Sequence, residues 1–422
     1  MPISSSLSLR SVLFLALFSL AGGTASTLAR PAEFIPLPPI GGGAARATYA
    51  LGVSPDGRFA AGASASDRGV EAVTWDLQSR TVRALGFLAP TARFSEAYAV
   101  SNDGTTIVGR SLNPTQFEAF RVVGSGAMQG LGSLGSTADN TRSGAFDISG
   151  DGSRIIGFSR SPRAGAGFEA FLFQASMLGL GDLAGGPFSS VARGVSADGA
   201  IIVGESSDAT GNRATRWTQA TGLVALPDLS GGAVGATAQA VSADGAVVVG
   251  RSIGADGAFA VAWRQGQVEN LGALGTPAND SQAFSVSGDG SIIVGTSLTS
   301  AGDEAFIWTR SAGMRNLKAV LTSVYGLSLT GWSLLAARDI STDGVVIVGE
   351  GINPQGVSQA WMVRLDAGCP ADFNGDGQAD LFDYLDFAAA FGTDDPSADL
   401  NADGQVDLFD YLDFVVAFDA GC

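Results

Sequence analysis

Two stretches near the C-terminus place oxygen-bearing side chains at the spacing of a calcium-binding loop. The first carries Asp372, Asn374, Asp376, Asp380 and Asp383, and the second carries Asp399, Asn401, Asp403, Asp407 and Asp410. These are positions 1, 3, 5, 9 and 12 of each loop, with Gly at position 6 for the sharp turn that wraps the chain around the ion. The peptide carbonyls of Gln378 and Gln405, at position 7, add one oxygen each. We therefore predict two bound calcium ions.

Each loop runs into the same segment, Asp-Leu-Phe-Asp-Tyr-Leu-Asp-Phe, at 380–387 and 407–414. Leu381, Tyr384 and Leu385 have helical spacing, as do their counterparts 27 residues later. One such loop could arise by chance in an Asp-rich stretch. Two loops followed by matching helices predict a pair of related loop–helix units.

Negative charge is concentrated in this C-terminal segment. The net charge is −17, and residues 369–422 contain thirteen Asp and no Lys, Arg or Glu, which leaves −4 for the rest of the chain. So dense a block of Asp must bind cations or repel itself. The sequence has no basic patch that could contact the phosphates of a nucleic acid, so nucleic acid is excluded as a partner.

Cys369 and Cys422 bracket the acidic segment, each in the context Ala-Gly-Cys. In an oxidising compartment we expect one disulfide between them, closing residues 367–422 into a module. The chain-entropy estimate gives such a bond about 4 kcal/mol of stability.

The N-terminus has the features of a secretory signal peptide over residues 1–29. Arg10 precedes an apolar run from Ser11 to Ala21 and then small residues, and cleavage after Ala25, Ser26 or Ala29 fits equally well. The run is too short to span a membrane. We predict a secreted protein, extracellular or associated with the cell surface, with no membrane span in the mature chain.

The chain contains no histidine, which removes imidazole-dependent nucleophile systems and ordinary zinc sites. Carboxylate pairs remain conceivable, and Glu71, Glu118, Glu169 and Glu304 recur at equivalent positions. A solvated Glu at the start of a strand is the simpler interpretation, and we predict no catalytic residue. Most Trp residues alternate with apolar neighbours and are expected in the core, whereas Trp332 is expected to be exposed.

The body of the chain repeats a hydrophobic–Ser–x–Asp–Gly motif seven times. Its serines are Ser54, Ser101, Ser149, Ser196, Ser242, Ser287 and Ser341, spaced by 45–48 residues except for 54 before the last. An apolar step ending in Gly follows each motif, which predicts a β-hairpin around an Asp-Gly turn. We assign the seven motif aspartates, from Asp56 to Asp343, to turn capping rather than to ligand binding.

Two more strand-like segments complete each repeat. The third places bulky residues two apart, as in Phe120 and Val122, and the fourth is a Leu-Gly-x-Leu segment, as at 131–134. Four short strands per repeat are typical of a propeller blade. The sequence thus predicts an all-β, seven-bladed β-propeller over residues 30–366, followed by a small α-helical calcium-binding domain.

The two ends of the array predict how the ring closes. The body begins with a lone fourth-strand segment, Phe34 to Leu37, and ends with a third-strand segment, Ala360 to Val363, that lacks a fourth. If the first segment completes the last blade, no strand edge is left open.

Residues 34–366 resemble the extracellular HAF-repeat family, whose His-Ala-Phe signature becomes Glu-Ala-Phe here, as at 118–120, 169–171 and 304–306. The resemblance implies an extracellular repeat module. Residues 367–422 are similar to type I dockerins, and more closely to the dockerin-like anchors bounded by Gly-Cys. Dockerins use positions 10 and 11 in recognising cohesins, and these positions are Leu381, Phe382, Leu408 and Phe409 here. The resemblance implies a cohesin-like or other surface or scaffold protein as partner.

We interpret the chain as a secreted calcium-binding protein in which a propeller binds or displays a glycan or protein ligand. A polysaccharide-degrading hydrolase or lyase carried by the dockerin-like module is the runner-up, and a structural cell-surface component is a third interpretation.

Overall fold

The computed structural model describes residues 32–41, 46–114, 116–135, 142–275, 279–365, 371, 373, 379–395, 398, 400 and 405–420. The chain divides into two compact units, a body over Ala32–Leu365 and a second unit that includes residues 366–422. The body is mostly β, as predicted. The predicted signal peptide at 1–29 lies outside the described residues.

The strands of the body form antiparallel groups of four. The first group is β2 (Thr48–Val53), β3 (Phe59–Ser66), β4 (Gly69–Asp76) and β5 (Thr81–Gly86). The second group is β6 (Ser95–Val100), β7 (Thr106–Asn113), β8 (Gln116–Val123) and β9 (Gln129–Gly132). The third group is β10 (Ser143–Ile148), β11 (Ile155–Ser159), β12 (Glu169–Phe173) and β13 (Met177–Gly179). The fourth group is β14 (Gly185–Val195), β15 (Ile202–Asp208), β16 (Gly211–Thr218) and β17 (Gly222–Ala225).

Two further groups are joined into one eight-stranded sheet. They are β18 (Ala236–Val241), β19 (Val247–Gly254), β20 (Gly257–Arg264) and β21 (Gln267–Asn270), and β22 (Asn279–Val286), β23 (Ile292–Thr299), β24 (Gly302–Thr309) and β25 (Gly313–Asn316). Only two residue pairs, between β20 and β22, connect them in parallel. The last group combines β26 (Ser333–Ile340), β27 (Val346–Ile352) and β28 (Ser358–Arg364) with β1 (Glu33–Pro36).

The Ser-x-Asp-Gly motif closes each hairpin between the first and second strands of a group. In the fourth group, the Ser196 hydroxyl donates to Asp198 Oδ1 at 2.6 Å and accepts from the Ile201 N–H at 3.0 Å. Asp198 Oδ1 also accepts from the Ala200 N–H, while Gly199 takes a φ of +70°. The same bonds recur in all seven motifs. The predicted turn role of these aspartates is confirmed.

The Gly that ends each apolar step lies where two strands approach too closely for a side chain. A Cβ on Gly62 would lie 1.9 Å from the carbonyl oxygen of Tyr49, and the Trp75 ring covers the same position. Gly109 has the same relation to Glu96 and to the Phe120 ring. A β-bulge in the first strand accompanies this approach in each group. The Gly is therefore required by packing, not by backbone conformation.

A buried hydroxyl bonds one group of strands to the next. Ser95, at the start of β6, accepts from the Ala72 N–H of β4 at 2.8 Å and donates to the Gly86 carbonyl at 2.7 Å. Ser143, Ser190 and Ser281 repeat this pattern at three other junctions. The small third-strand Ala lets the next sheet approach, which explains its recurrence in the Glu-Ala-Phe segments. The hydrophobic core lies between neighbouring sheets, with Phe120 and Trp361 wholly buried.

The residue after each motif serine takes part in a ring of backbone hydrogen bonds. From Asn102 to Thr342, each N–H donates to the carbonyl of the equivalent residue one repeat further on, over 2.8–3.2 Å. The order along this series is Asn102, Gly150, Ala197, Ala243, Gly288, Thr342 and finally Pro55, which only accepts. Six bonds result. The seventh interval, from Pro55 to Asn102, has no donor because proline lacks an N–H.

The N-terminal strand pairs with the last strand of the array, as predicted. β1 is antiparallel to β28, with Glu33 opposite Arg364 and Pro36 opposite Trp361. At the junction with the first group, Thr48 takes the place of the bridging serine and accepts from the Ala360 N–H at 2.9 Å. Across 312 residues of sequence, this junction thus uses the same kind of bond as the four serine-mediated junctions.

Three short helices complete the described structure. They are α1 (Leu317–Ser323) in the body and α2 (Leu381–Gly392) and α3 (Leu408–Ala420) in the second unit. The expectation that Trp332 is exposed is wrong, because the insertion that contains α1 covers its ring and leaves it 9% exposed. Phe34 of β1 packs edge-on against it at 5.0 Å between ring centroids.

Replacing one motif aspartate tests the turn assignment. Asp198→Ala should lower the free energy of unfolding by about 1 kcal/mol, the usual cost of a lost capping bond, and should release no bound metal. The hydrogen bond from the Ser196 hydroxyl lowers the pKa of Asp198. The difference in stability between the parent and the variant should therefore fade in strong acid, where the Asp198 carboxylate protonates. Urea unfolding at neutral and acid pH measures this. Asp256→Ala, at an exposed turn, is the control and should change little.

Removing β1 tests the closure of the body. Deletion of residues 34–40 should expose the edge of β28 and uncover Trp332, so the protein should associate and melt at a lower temperature. Light scattering and thermal unfolding measure both effects, and a synthetic peptide of residues 32–41 should restore the monomer. A deletion variant that stays monomeric with the parent's melting temperature would contradict this role of β1.

Candidate functional site

The described part of the second unit has an internal twofold repetition centred on the starts of its helices. Asp380 Oδ1 accepts from the Phe382 N–H at 2.8 Å, and Asp407 Oδ1 accepts from the Phe409 N–H at 2.8 Å. These carboxylates cap α2 and α3, where the backbone N–H groups lack partners within the helix. Loop position 9 therefore has the same helix-capping geometry in both units.

Loop position 12 places a carboxylate in the interior of this small unit. Asp383 and Asp410 are both 0% exposed. Asp383 Oδ2 accepts from the Asp380 N–H, and Asp410 Oδ2 accepts from the Asp407 N–H, each at 2.8 Å. Asp410 Oδ1 also accepts from the Leu400 N–H at 2.9 Å. Two wholly buried carboxylates in so acidic a segment favour a cation as their partner.

An aromatic core joins the two loop–helix units. The rings of Phe387 and Phe414 stack with centroids 4.1 Å apart and an angle of 2°, and both are fully buried. The hydroxyls of Tyr384 and Tyr411, which are also symmetry-related, lie 3.3 Å apart. Phe373 packs edge-on against Phe387. The two predicted helices are present and pack through these rings, whereas Leu385 and Leu412 of the predicted apolar spacing are about half exposed.

Most of the predicted calcium ligands lie outside the described residues. These are Asp372, Asn374, Asp376, Gln378, Asp399, Asn401 and Asp403, and the predicted disulfide partners Cys369 and Cys422 lie outside as well. Within the described residues, including Gln405, no group of three or more carboxylates converges on a common point. The calcium sites therefore stay a prediction.

The residues at loop positions 10 and 11 are exposed apolar side chains. Leu381, Phe382, Leu408 and Phe409 are 57–65% exposed, in two equivalent pairs at the helix starts. They contribute nothing to the aromatic core, so exposure is their default state in this unit. These are the residues for which the resemblance to dockerins implies a role in partner binding.

The four recurrent glutamates of the body are not uniformly solvated. Glu71 and Glu169 are 1% exposed, which corrects the expectation of solvated strand starts. Glu71 pairs with Arg68, and Glu169 pairs with Arg163 at 3.1 Å and accepts from the Gly181 N–H. Glu118 likewise accepts from the Gly132 N–H. Glu118 and Glu169 thus bond the backbone at the end of the fourth strand, which is a structural role.

The sequence analysis missed a channel lined by the first strands of all the groups. Its volume is about 190 Å³ and its wall includes the residues two and three places before the motif serines. Tyr98, Phe146 and Phe284 supply aromatic surface, and Gln239 and Ser285 supply polar groups. The repeat position alone was the available signal, because these side chains differ from one repeat to the next.

Two carboxylates, Asp147 and Asp339, face this channel. Asp147 accepts from the Ile148 and Val195 N–H groups at 2.8 and 2.9 Å. Asp339 accepts from the Val53 N–H at 2.7 Å, from the Ile340 N–H and from the Ser285 hydroxyl at 2.6 Å. Each therefore bridges neighbouring repeats. Burial raises the pKa of Asp147 to about 7 and of Asp339 to about 6, and the charge of Asp339 contributes to the shift of Asp147.

The cationic side chains near the channel are already paired. Arg193 bonds Glu205 at 2.6 Å, and Arg338 bonds Glu350 through Nε at 3.1 Å. Within the described ranges, neither Asp147 nor Asp339 forms an ion pair with Arg or Lys. The channel therefore carries negative charge that no neighbouring cation balances.

Comparisons with known proteins give only distant likenesses. No family model matches the chain, and no curated protein matches it. Among solved structures, an oligogalacturonate lyase in complex with manganese has a TM-score of 0.49 at 11% identity, covering 80% of this chain and 97% of its own. The β-propeller domain of the Trilobed protease from Pyrococcus furiosus gives 0.45 at 10% identity, covering 75% and 95%. TolB from Acinetobacter baumannii gives 0.36 at 15% identity, covering 53% of this chain, which spans 56% of the TolB length.

No helix in the described ranges is long and apolar enough to cross a membrane.

The channel carboxylates predict a pH-dependent stability. Their folded pKa values lie above those of the unfolded chain, so their stabilising contribution is complete below about pH 4 and is lost as the pH rises through 6 and 7. The melting temperature of the protein should therefore fall between pH 5 and pH 8. Asp147→Asn with Asp339→Asn should flatten this slope. The control pair, Asp256→Asn with Asp303→Asn at exposed positions, should keep it.

Proposed function

We propose that this is a secreted calcium-binding protein with a seven-bladed β-propeller that binds or displays a ligand. A dockerin-like C-terminal module attaches it to a partner. The observation that carries the proposal is the matched pair of buried carboxylates, Asp383 and Asp410, at position 12 of two loops of equal spacing.

Burial of these carboxylates supports calcium rather than a purely structural role. Asp383 and Asp410 each accept a backbone hydrogen bond from the residue at position 9 over 2.8 Å, and Asp410 accepts a second from the Leu400 N–H at 2.9 Å. These donors are neutral and add no positive charge. The acidic segment has no Lys or Arg to compensate that charge. Calcium binds such carboxylate, amide and carbonyl oxygens, and it would offset the repulsion among the thirteen aspartates.

The ligands follow residue by residue from the loop positions. Asp372, Asn374, Asp376, Asp380 and Asp383, with the Gln378 carbonyl, would hold the first ion. Asp399, Asn401, Asp403, Asp407 and Asp410, with the Gln405 carbonyl, would hold the second. Asp380 and Asp407 keep one oxygen on the helix N-terminus, so position 9 would serve both the cap and the ion.

The propeller architecture is supported by the strand pairing of the body. The strands fall into seven groups of four, β1 completes the last group, and a chain of six backbone hydrogen bonds returns to Pro55 of the first repeat. In a propeller of this kind, the seven first strands would surround the channel. An extracellular propeller of this kind presents its loops and channel mouth to ligands.

The anchoring partner is proposed to contact the exposed apolar pairs. Leu381 with Phe382 and Leu408 with Phe409 are equivalent, so the module offers two similar faces. A partner with an apolar surface, such as a cohesin-like scaffold protein, fits their chemistry. Calcium would act indirectly, because the same helix starts carry the position-9 and position-12 ligands.

Calcium dependence of the second unit tests the proposal. The full-length mature chain should bind two calcium ions in equilibrium dialysis, and chelator should speed hydrogen exchange of α2 and α3. Binding to the folded state stabilises it by about 2.7 kcal/mol per site when calcium is a hundredfold above its dissociation constant. Asp383→Ala with Asp410→Ala should abolish both sites and reproduce the fast exchange.

The matched control is Asp386→Ala with Asp413→Ala, which removes two exposed aspartates from the same helices. This control variant should retain two bound calcium ions, and hydrogen exchange of α2 and α3 should stay slow. Absence of bound calcium at millimolar concentration, with exchange of both helices unaffected by chelator, would contradict the proposal.

A further inference from the structure

The channel of the body has three properties that together specify a ligand. Its volume is about 190 Å³, which limits it to a small ligand or to one end of a larger one. Its wall carries three aromatic rings. Its only ionisable lining residues, among those described, are Tyr98, Asp147, Arg193, Arg338 and Asp339.

The two carboxylates are the source of unbalanced charge. Their hydrogen-bond donors are peptide N–H groups and the Ser285 hydroxyl, all neutral. These bonds orient Asp147 and Asp339, which are partly buried in the channel, and add no positive charge. When both carboxylates are ionised, the repulsion between them is screened less than at the open surface. A cation placed between them would relieve this cost.

The arginines of the wall do not fill that role, because each is turned to a glutamate behind it. Arg193 pairs with Glu205, and Arg338 pairs with Glu350. Their guanidinium groups also lie over Phe146 and Phe284, at 5.8 and 4.5 Å from the ring centroids. Tyr98 donates its hydroxyl to Glu96 at 2.7 Å, and burial with the Glu96 charge raises its pKa, so it stays neutral. Because Glu205 and Glu350 offset these two arginines, Asp147 and Asp339 give the channel a net negative charge when they are ionised.

We propose that the channel binds a primary ammonium group carried on an unbranched alkyl chain, with the ammonium at Asp147 and Asp339 and the chain along the aromatic wall. An ammonium supplies three donors to the carboxylate oxygens, and its methylene stem fits beside Tyr98, Phe146 and Phe284. A guanidinium is planar and wider, and a divalent metal would lack a third carboxylate at this position. Free alkylamines and lysine side chains share this chemistry.

Isothermal titration of the full-length mature chain with n-pentylamine tests the proposal, with Nα-acetyl-lysine methylamide as the peptide-lysine arm. Millimolar calcium is present throughout, so that the acidic C-terminal segment does not bind the amine. We expect saturable one-to-one binding of n-pentylamine. The uncharged analogue 1-pentanol should bind at least tenfold more weakly. Binding of the lysine analogue as well would support a peptide source, and its failure would support a free amine.

Asp147→Asn with Asp339→Asn should weaken n-pentylamine binding at least tenfold. The control pair Asp256→Asn with Asp303→Asn changes the net charge equally at exposed positions and should bind as the parent does. Circular dichroism verifies that each variant is folded.

Proton release provides a second readout on the unaltered protein, should the channel variant not fold. Titration near pH 6.5 in buffers of different ionisation enthalpy should show release of protons, because the bound cation keeps both carboxylates ionised. Affinity should rise from pH 5 to pH 8. No binding of n-pentylamine, binding that the channel substitutions leave unchanged, or binding without proton release would overturn the proposal.

Discussion

The stability of the body depends on hydrogen bonds at the edges of its four-stranded sheets. A four-stranded sheet has two open edges, and short sheets of this size are unstable if left alone. Here the first strand of one group receives a hydroxyl-mediated bond from its neighbour, and Thr48 makes that bond to Ala360 across the closing junction. β1 then covers the outer edge of β28. Because the first and last strands of the body lie in one sheet, unfolding of the last group must also release β1.

Close packing explains the composition of the chain. The strands approach so closely at the bulges that a Cβ on Gly62 or Gly349 would lie about 2 Å from a carbonyl oxygen of the first strand. The third-strand Ala admits the neighbouring sheet, and large rings such as Trp361 fill the space left over Gly. High Gly and Ala content therefore reflects dense sheet packing rather than flexibility.

Environment separates the carboxylates of this protein into four roles. Turn aspartates such as Asp198 accept several local donors, which lowers their pKa. Glu71 and Glu169 are buried and ion-paired. Asp383 and Asp410 are buried at helix starts beside the predicted calcium loops. Asp147 and Asp339 bridge repeats inside the channel, and burial raises their pKa. Carboxylates thus serve as turn caps, as buried ion-pair partners, as proposed metal ligands and as a proposed ligand-binding site.

The sequence alone determined the features that depend on local spacing. The Ser-x-Asp-Gly turns, the hairpins, the two C-terminal helices and the pairing of β1 with β28 all follow from periodicity and from the permuted ends of the array. Only the tertiary structure decided the burial of Trp332 and Glu71 and the assembly of the channel. Asp147 and Asp339 lie 192 residues apart and carry no motif of their own. Their environment arises because first strands from distant parts of the chain line one channel, so it depends on how the strand groups assemble rather than on any local segment.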